Sequence, residues 1–245
     1  MIFVANWKMH GNFNDILKVK TVLNLIKNHK YKKIKIIYCP PFTLLKSFSN
    51  YFKNTKLNIG AQNCYYKSDY GPYTGNVNAK LIKSAGAKYI ILGHSENRNE
   101  GETDLLINQK IKSVLNEKLS IIFCIGETID EKKKKITFQV LKRQISKGLK
   151  GIKNINKIII AYEPVWSIGS GIIPSRNELE KNIKNIKKIL KQFKFKKSVK
   201  ILYGGSVNSK NANEISKIDG IGGLLVGGAS LNSKKFVDII KKTSN

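Results

Sequence analysis

The chain has 245 residues, a hydrophobic fraction of 41% and a formal net charge of +29. That length suits one large α/β domain with a real core, and no run nears the roughly 20 apolar residues of a membrane span. Three scattered cysteines, Cys39, Cys64 and Cys124, form no CxxC pair, which argues against a disulfide framework or a zinc site and for a reducing cytoplasm.

The N-terminus enters a strand at once, in the apolar run Ile2–Trp7, with no secretory or transit pattern ahead of it. Asn6 and Lys8, two apart at the end of this run, are expected on one side of a strand. A lysine there either escapes to solvent or neutralises an anion. His10 is at most adjacent to a site, and His29 reads as surface. Ile16, Val19, Val22, Leu23 and Ile26 then recur at helical spacing.

Strand-like runs follow at Ile34–Tyr38 and Leu57–Ala61, the second leading into Gln62 and Asn63. Tyr89–Leu92 leads into Gly93–His94–Ser95–Glu96, where a helix should start. A histidine there faces a dipole that opposes its protonation, which favours a neutral imidazole able to donate a hydrogen bond. Ile121–Ile125 is followed by Glu127, and then by the lysine run 132–135.

Ile158–Tyr162 ends in Glu163, and the next residues are Pro164, Val165, Trp166, Ser167, Ile168, Gly169, Ser170, Gly171 and Ile172. A carboxylate at a strand end, followed by rigid, bulky and then flexible residues, suits a general base beneath a closing lid. A salt-bridged glutamate before a glycine turn would give the same local pattern. Ile183, Ile186 and Leu190 mark another helix. Ile201–Tyr203 ends in Gly204–Gly205–Ser206, and Gly223–Val226 ends in Gly227–Gly228. Glycine pairs at two adjacent strand ends let backbone N–H groups approach an oxyanion, with a following helix N-terminus adding its dipole, and phosphate is the expected ligand.

Eight buried-strand runs alternate with helical segments, which predicts a parallel sheet with crossover helices, and a closed (β/α)8 barrel over residues 1–245 as a single catalytic domain. In such a barrel the polar residues after the strands converge on one face. The net charge admits a polyanion binder as well. Yet only Arg98, Arg143 and Arg176 are arginines, and the lysines spread along segments that read as outer helix faces. That composition is read as bias carried on solvated surface, with no nucleic-acid or membrane partner expected.

Seven segments, in order and covering nearly the whole chain, resemble the triosephosphate isomerase family: Asn6–Trp7–Lys8–Met9, Gly60–Ala61–Gln62–Asn63, Gly93–His94–Ser95–Glu96, Cys124–Ile125–Gly126–Glu127, Tyr162–Glu163–Pro164–Val165–Trp166, Tyr203–Gly204–Gly205–Ser206–Val207 and Val226–Gly227–Gly228–Ala229–Ser230–Leu231. The resemblance implies a TIM barrel that interconverts dihydroxyacetone phosphate and D-glyceraldehyde 3-phosphate in glycolysis and gluconeogenesis, with no cofactor and no metal. It implies Glu163 as base, His94 as electrophile, Lys8 as the cation beside the enediolate and Asn6 as its polar partner. Gly169, Ser206, Gly227 and Gly228 would grip the phosphate with Asn6 and Lys8, Ser95 and Glu96 would support the site, and Pro164–Ile172 would be the lid.

The resemblance also implies a cytoplasmic homodimer, its interdigitating loop being Tyr65–Val77 with Tyr73, Thr74 and Gly75 at the tip. The sequence departs from the family pattern at His10, Ile172, Asn97 and Asn76, where Asn, Lys, Arg and an acid are usual. Another phosphosugar barrel enzyme, such as a Schiff-base aldolase, and a lysine-rich polyanion binder remain as alternatives on the sequence alone.

Overall fold

The computed structural model describes residues 1–193 and 199–243. Eight strands, β1 (Ile2–Asn6), β2 (Lys35–Cys39), β3 (Asn58–Ala61), β4 (Tyr89–Leu92), β5 (Ser120–Ile125), β6 (Ile158–Tyr162), β7 (Lys200–Tyr203) and β8 (Ile221–Val226), pair in sequence order. All pairings are parallel, and β8 returns to β1, with Ile2 opposite Gly223 and Ala5 opposite Val226, so the sheet closes into a barrel.

The helices on the outside are α1 (Phe13–Lys18), α2 (Lys20–Lys27), α3 (Phe42–Tyr51), α4 (Ala79–Ser84), α5 (Ser95–Asn99), α6 (Asp104–Asn116), α7 (Ile129–Lys133), α8 (Thr137–Gly148), α9 (Arg176–Lys191), α10 (Ala212–Ser216) and α11 (Ser233–Lys242). Among the described residues, no helix is long and apolar enough to cross a membrane.

Strand side chains alternate between two buried layers. Ile2, Val4, Ile91, Ile122, Cys124, Ile159, Ala161, Leu202 and Leu225 fill the lumen. Phe3, Ala5, Ile90, Ile121, Phe123, Ile160 and Leu224 face the helices. Both faces are therefore covered, which is why these strands read as continuous apolar runs. The same alternation fixes what caps the lumen. Continuing each lumen series by two residues beyond Val4, Ile91, Cys124, Ala161, Leu202 and Leu225 reaches Asn6, Gly93, Gly126, Glu163, Gly204 and Gly227. On these six strands the positions above the apolar lumen are thus one amide, one carboxylate and four glycines, a polar floor with open space above it.

Three details differ from the sequence reading. The first helical stripe belongs to two helices, since the chain bends at Val19 between α1 and α2, and Leu25 is buried in place of the half-buried Leu23. β1 stops at Asn6, and Lys8 follows with a left-handed φ of 52°, so strand alternation does not place it. No long helix follows β7 or β8 at once: α10 starts nine residues past the end of β7, and a 3-10 turn at Gly228–Leu231 follows β8.

Candidate active site

A cavity of about 480 Å³ opens at the C-terminal ends of the strands. Asn6, Lys8, His94, Glu163, Gly169, Ser206, Gly227 and Gly228 all line it, from parts of the chain more than 200 residues apart. His10, exposed, also reaches its edge. Ser95 lies outside the cavity, and Glu96 reaches it only through Lys8. His29 is exposed in a 3-10 turn away from it. Cys39, Cys64 and Cys124 are free and buried.

Glu163 ends the lumen series of β6 and is only 3% exposed. Two glycines make its place. A Cβ on Gly126 would fall 1.8 Å from the Glu163 carbonyl oxygen, and one on Gly204 would fall 2.7 Å from Glu163 Cγ. Burial pushes the Glu163 carboxyl above the ordinary 4.5, opposed by His94, the Cys124 thiol and Lys8. Its Oε2 has no hydrogen-bond partner among the described residues. This is a desolvated carboxylate poised to accept a proton.

His94 caps the N-terminus of α5, its Nδ1 accepting the Glu96 backbone N–H at 3.3 Å. A ring nitrogen that accepts carries no proton, so the imidazole proton rides on Nε2. Nε2 stands 3.6 Å from Glu163 Oε1, aimed into the cavity. The turn carrying His94 is clamped by Arg98, whose guanidinium donates to the Gly93 carbonyl at 2.8 Å, to the Cys124 carbonyl at 3.3 Å and to Asp104 at 2.7 Å.

Lys8 reaches the cavity through backbone geometry. Its N–H donates to Asn6 Oδ1 at 3.0 Å, and its ammonium pairs with Glu96 at 2.6 Å. Gln62 carries out a task the sequence does not disclose. Its side-chain amide donates to the carbonyls of Lys8 and Cys39, both at 2.8 Å, and so holds the left-handed turn onto the barrel.

Segment 164–172 folds over the cavity mouth. After Pro164 comes a single 3-10 turn, Val165–Ser167, and then Gly169 and Gly171 with positive φ of 72° and 76°. Ser206 latches it: its Oγ accepts the Gly171 N–H at 3.1 Å and donates to the Ser167 carbonyl. Ser167 Oγ donates to the Ile172 carbonyl at 2.5 Å and lies 3.2 Å from the Tyr203 hydroxyl.

At the base of the segment, Trp166 Nε1 donates to Glu127 at 2.9 Å, and the Tyr162 hydroxyl donates to the same carboxylate at 3.1 Å. Burial raises the Glu127 carboxyl even against these donors. Lys132, which the sequence places in a solvated lysine run, sits 3.4 Å above the Trp166 ring and pairs with Glu178 at 2.8 Å. Lys110 is a second lysine not on solvated surface; it is buried, bonded to Glu102 and, at 3.0 Å, to Asn63 Oδ1. Ile172 is 61% exposed.

Loop 65–77 is closed at its base by the Tyr65 N–H on the Val77 carbonyl, at 2.8 Å. The Tyr65 ring packs on Tyr66 and Tyr73 with centroids 4.6 and 5.1 Å apart. Thr74, Gly75 and Asn76 are exposed.

A closed parallel barrel with a water-shielded carboxylate, an Nε2-protonated imidazole and a lysine around one pocket defines a (β/α)8-barrel enzyme of proton-transfer chemistry. Comparison with known proteins supplies the particular family. The triosephosphate isomerase family model matches residues 1–243. Triosephosphate isomerase from Dictyoglomus thermophilum is 39% identical over 98% of both chains, and that from Alkaliphilus oremlandii 37% identical over 98% of both. The crystal structure of triosephosphate isomerase from Bartonella henselae superposes with a TM-score of 0.90 at 30% identity, covering 100% of this chain and 99% of that one. The chain belongs to the triosephosphate isomerase family. Its reaction is the aldose–ketose interconversion of dihydroxyacetone phosphate and D-glyceraldehyde 3-phosphate.

Proposed function

We propose the following division of labour for that reaction. The Glu163 carboxylate removes the proton from the carbon beside the substrate carbonyl. The electron pair of the broken C–H bond becomes the C=C bond of an enediolate, and the carbonyl oxygen takes the charge. His94 Nε2–H donates to that oxygen, and Lys8 places its positive charge beside it. Glu163 then returns the proton to the neighbouring carbon while a proton passes between the two oxygens by way of His94. A carboxylate base, a neutral histidine and a closing loop are the known working parts of this enzyme family, and the geometry here is compatible with them.

Lys8, Asn6 and the backbone at Gly169, Ser206, Gly227 and Gly228 hold the phosphate. Ser95 and Glu96 support the site, Glu96 by parking the Lys8 ammonium until an anionic substrate competes for it. The lid, Pro164–Ile172, keeps water from the enediolate and prevents loss of phosphate. The whole of residues 1–245 serves as one catalytic domain, in the cytoplasm.

The chain works as a homodimer in this reading. The tip, with Tyr73 half-buried and Thr74 and Gly75 exposed, together with Met9 at 94% and Phe13 at 64% exposure, leaves surface that a second copy would cover.

The observation that carries the catalytic reading is the single buried carboxylate facing His94 Nε2 across the cavity. Isomerisation in deuterated water tests it. A shuttling base that exchanges with solvent leaves deuterium on the carbon next to the new carbonyl. Product with no solvent deuterium, or a substrate adduct trapped by borohydride, would point to hydride transfer or to a Schiff-base aldolase instead.

A further inference from the structure

The opposite end of the barrel carries a feature the isomerase chemistry does not use. A lysine stands at or just ahead of the start of six consecutive strands: Lys35, Lys56, Lys88, Lys118, Lys157 and Lys200, for β2 to β7. Three of them, Lys35, Lys157 and Lys200, rim a hollow of about 210 Å³ at the N-terminal mouth, floored by Ile2, Tyr89 and Ile159. This hollow shares Asn156 and Lys157 with a groove of about 510 Å³ that adds Lys112, Lys118 and Lys153.

Among the described residues, no acidic side chain lines either one. Glu117, next to Lys118, turns to Lys83 at 3.3 Å, and Asp219, ahead of β8, is taken by Lys187 at 2.8 Å. Among the described residues, none of the six groove lysines has a carboxylate partner; Lys157 reaches only the Lys118 carbonyl, at 2.6 Å. The α-amino group of Met1, at the same mouth, is held below its ordinary 8.0 by burial and by the charge of Lys200.

Like charges gathered on the exposed rim of a concave hollow focus a positive potential outward, and a multivalent anion relieves their repulsion. Single-stranded nucleic acid is held by exposed aromatic platforms as well as by charge. The one aromatic side chain among the described lining residues, Tyr89, is buried in the floor. We propose that the N-terminal mouth of the barrel and its adjoining groove bind a linear phosphate polyanion, an inorganic polyphosphate chain, at a site separate from the isomerase pocket. The repeated phosphate charge is read by Lys35, Lys157 and Lys200 at the mouth, and by Lys112, Lys118 and Lys153 along the groove.

Titration calorimetry with inorganic tripolyphosphate tests this on the intact protein. The combined Lys35→Gln, Lys157→Gln and Lys200→Gln variant should bind at least about tenfold more weakly, and its slope of log Kd against log salt should fall by about 2. The combined Lys27→Gln, Lys46→Gln and Lys241→Gln variant has the same net charge and should bind within about twofold of wild type. Both should keep wild-type kcat, and saturating triose phosphate should not displace the probe. In the wild type alone, tripolyphosphate should protect Lys35, Lys157 and Lys200 from an amine-reactive label and leave Lys27, Lys46 and Lys241 open. Equal losses in the two variants, displacement by triose phosphate, no binding to wild type, or uniform labelling would each overturn the proposal. So would an oligonucleotide of equal charge that binds more tightly and is lost in the same variant, since the partner would then be nucleic acid.

Discussion

His94 Nε2 stands 3.6 Å from Glu163 Oε1, with His94 positioned just beyond β4 and Glu163 just beyond β6. Neither strand carries the other; β5 lies between them and contributes Cys124, whose thiol is among the groups that hold the Glu163 carboxyl down against burial. The proposed base is therefore tuned by a side chain outside the proposed proton-transfer set.

Removing that thiol should make the base titrate higher. Cys124→Ala should move the acid limb of kcat/KM to higher pH, and Cys124→Ser, which keeps a donor, should move it less. An acid limb shifted downward in the alanine variant would contradict this tuning. The same burial affects stability. The folded carboxyl binds its proton more tightly than the ordinary 4.5, so the folded state holds the extra proton between the two values, and stability falls as pH rises through that window. Glu163→Gln should therefore have a higher Tm than wild type at neutral pH, with the difference closing below the ordinary value. A thermal scan showing the same difference at acid and neutral pH would count against it.

Gln62→Ala should loosen Lys8. The half-buried Lys8 carbonyl loses its donor, at a cost of about 1–3 kcal/mol at most, the Cys39 carbonyl keeps only the Trp7 N–H, at 3.1 Å, and the left-handed turn at Lys8 loses its clamp. Lower Tm, raised KM and a kcat reduced about tenfold are expected, the last because misplacing a charge by about an ångström is costly to a reaction. A kcat and KM both at wild-type values would show that the turn holds itself.

Gly204→Ala should act on Glu163 alone. The added methyl would lie 2.7 Å from Glu163 Cγ and 3.0 Å from Oε1. Displacing the base by about an ångström should cut kcat about a hundredfold with little change in KM. A variant with wild-type kcat would mean that the carboxylate has room to spare.

The barrel is legible from the sequence because strands covered on both faces are apolar throughout, as in Ile158–Ile159–Ile160. Their ends mark the positions of Glu163 and of the glycine pairs. Strand reasoning brings Lys8 to the same cavity as Asn6 but not for the reason it gives, because a left-handed residue beyond the strand, rather than strand alternation, places it. The role of Gln62 is hidden because its partners are backbone carbonyls 54 and 23 positions away, which no local pattern encodes. Lys110 and Lys132 look like any other helix lysine in a chain of this charge; only packing sets one beside Glu102 and the other over Trp166.

Ser206→Ala should unlatch the lid. The Gly171 N–H loses its partner, and the Ser167 carbonyl keeps only the Ser170 hydroxyl, at 3.2 Å. Turnover should slow, and more of the enediolate should escape by expelling inorganic phosphate, a product that can be assayed directly. Unchanged phosphate release alongside slower turnover would locate the role of Ser206 in substrate binding rather than in lid closure.

The most direct test of the central claim is isomerisation of D-glyceraldehyde 3-phosphate by wild type and Glu163→Asp protein, matched for folding by circular dichroism. The substitution keeps the charge and withdraws it by one methylene. Fast conversion by wild type, with kcat lowered about a hundredfold or more in the variant, is the predicted result. A variant that turns over as fast as wild type would show that Glu163 is not the base.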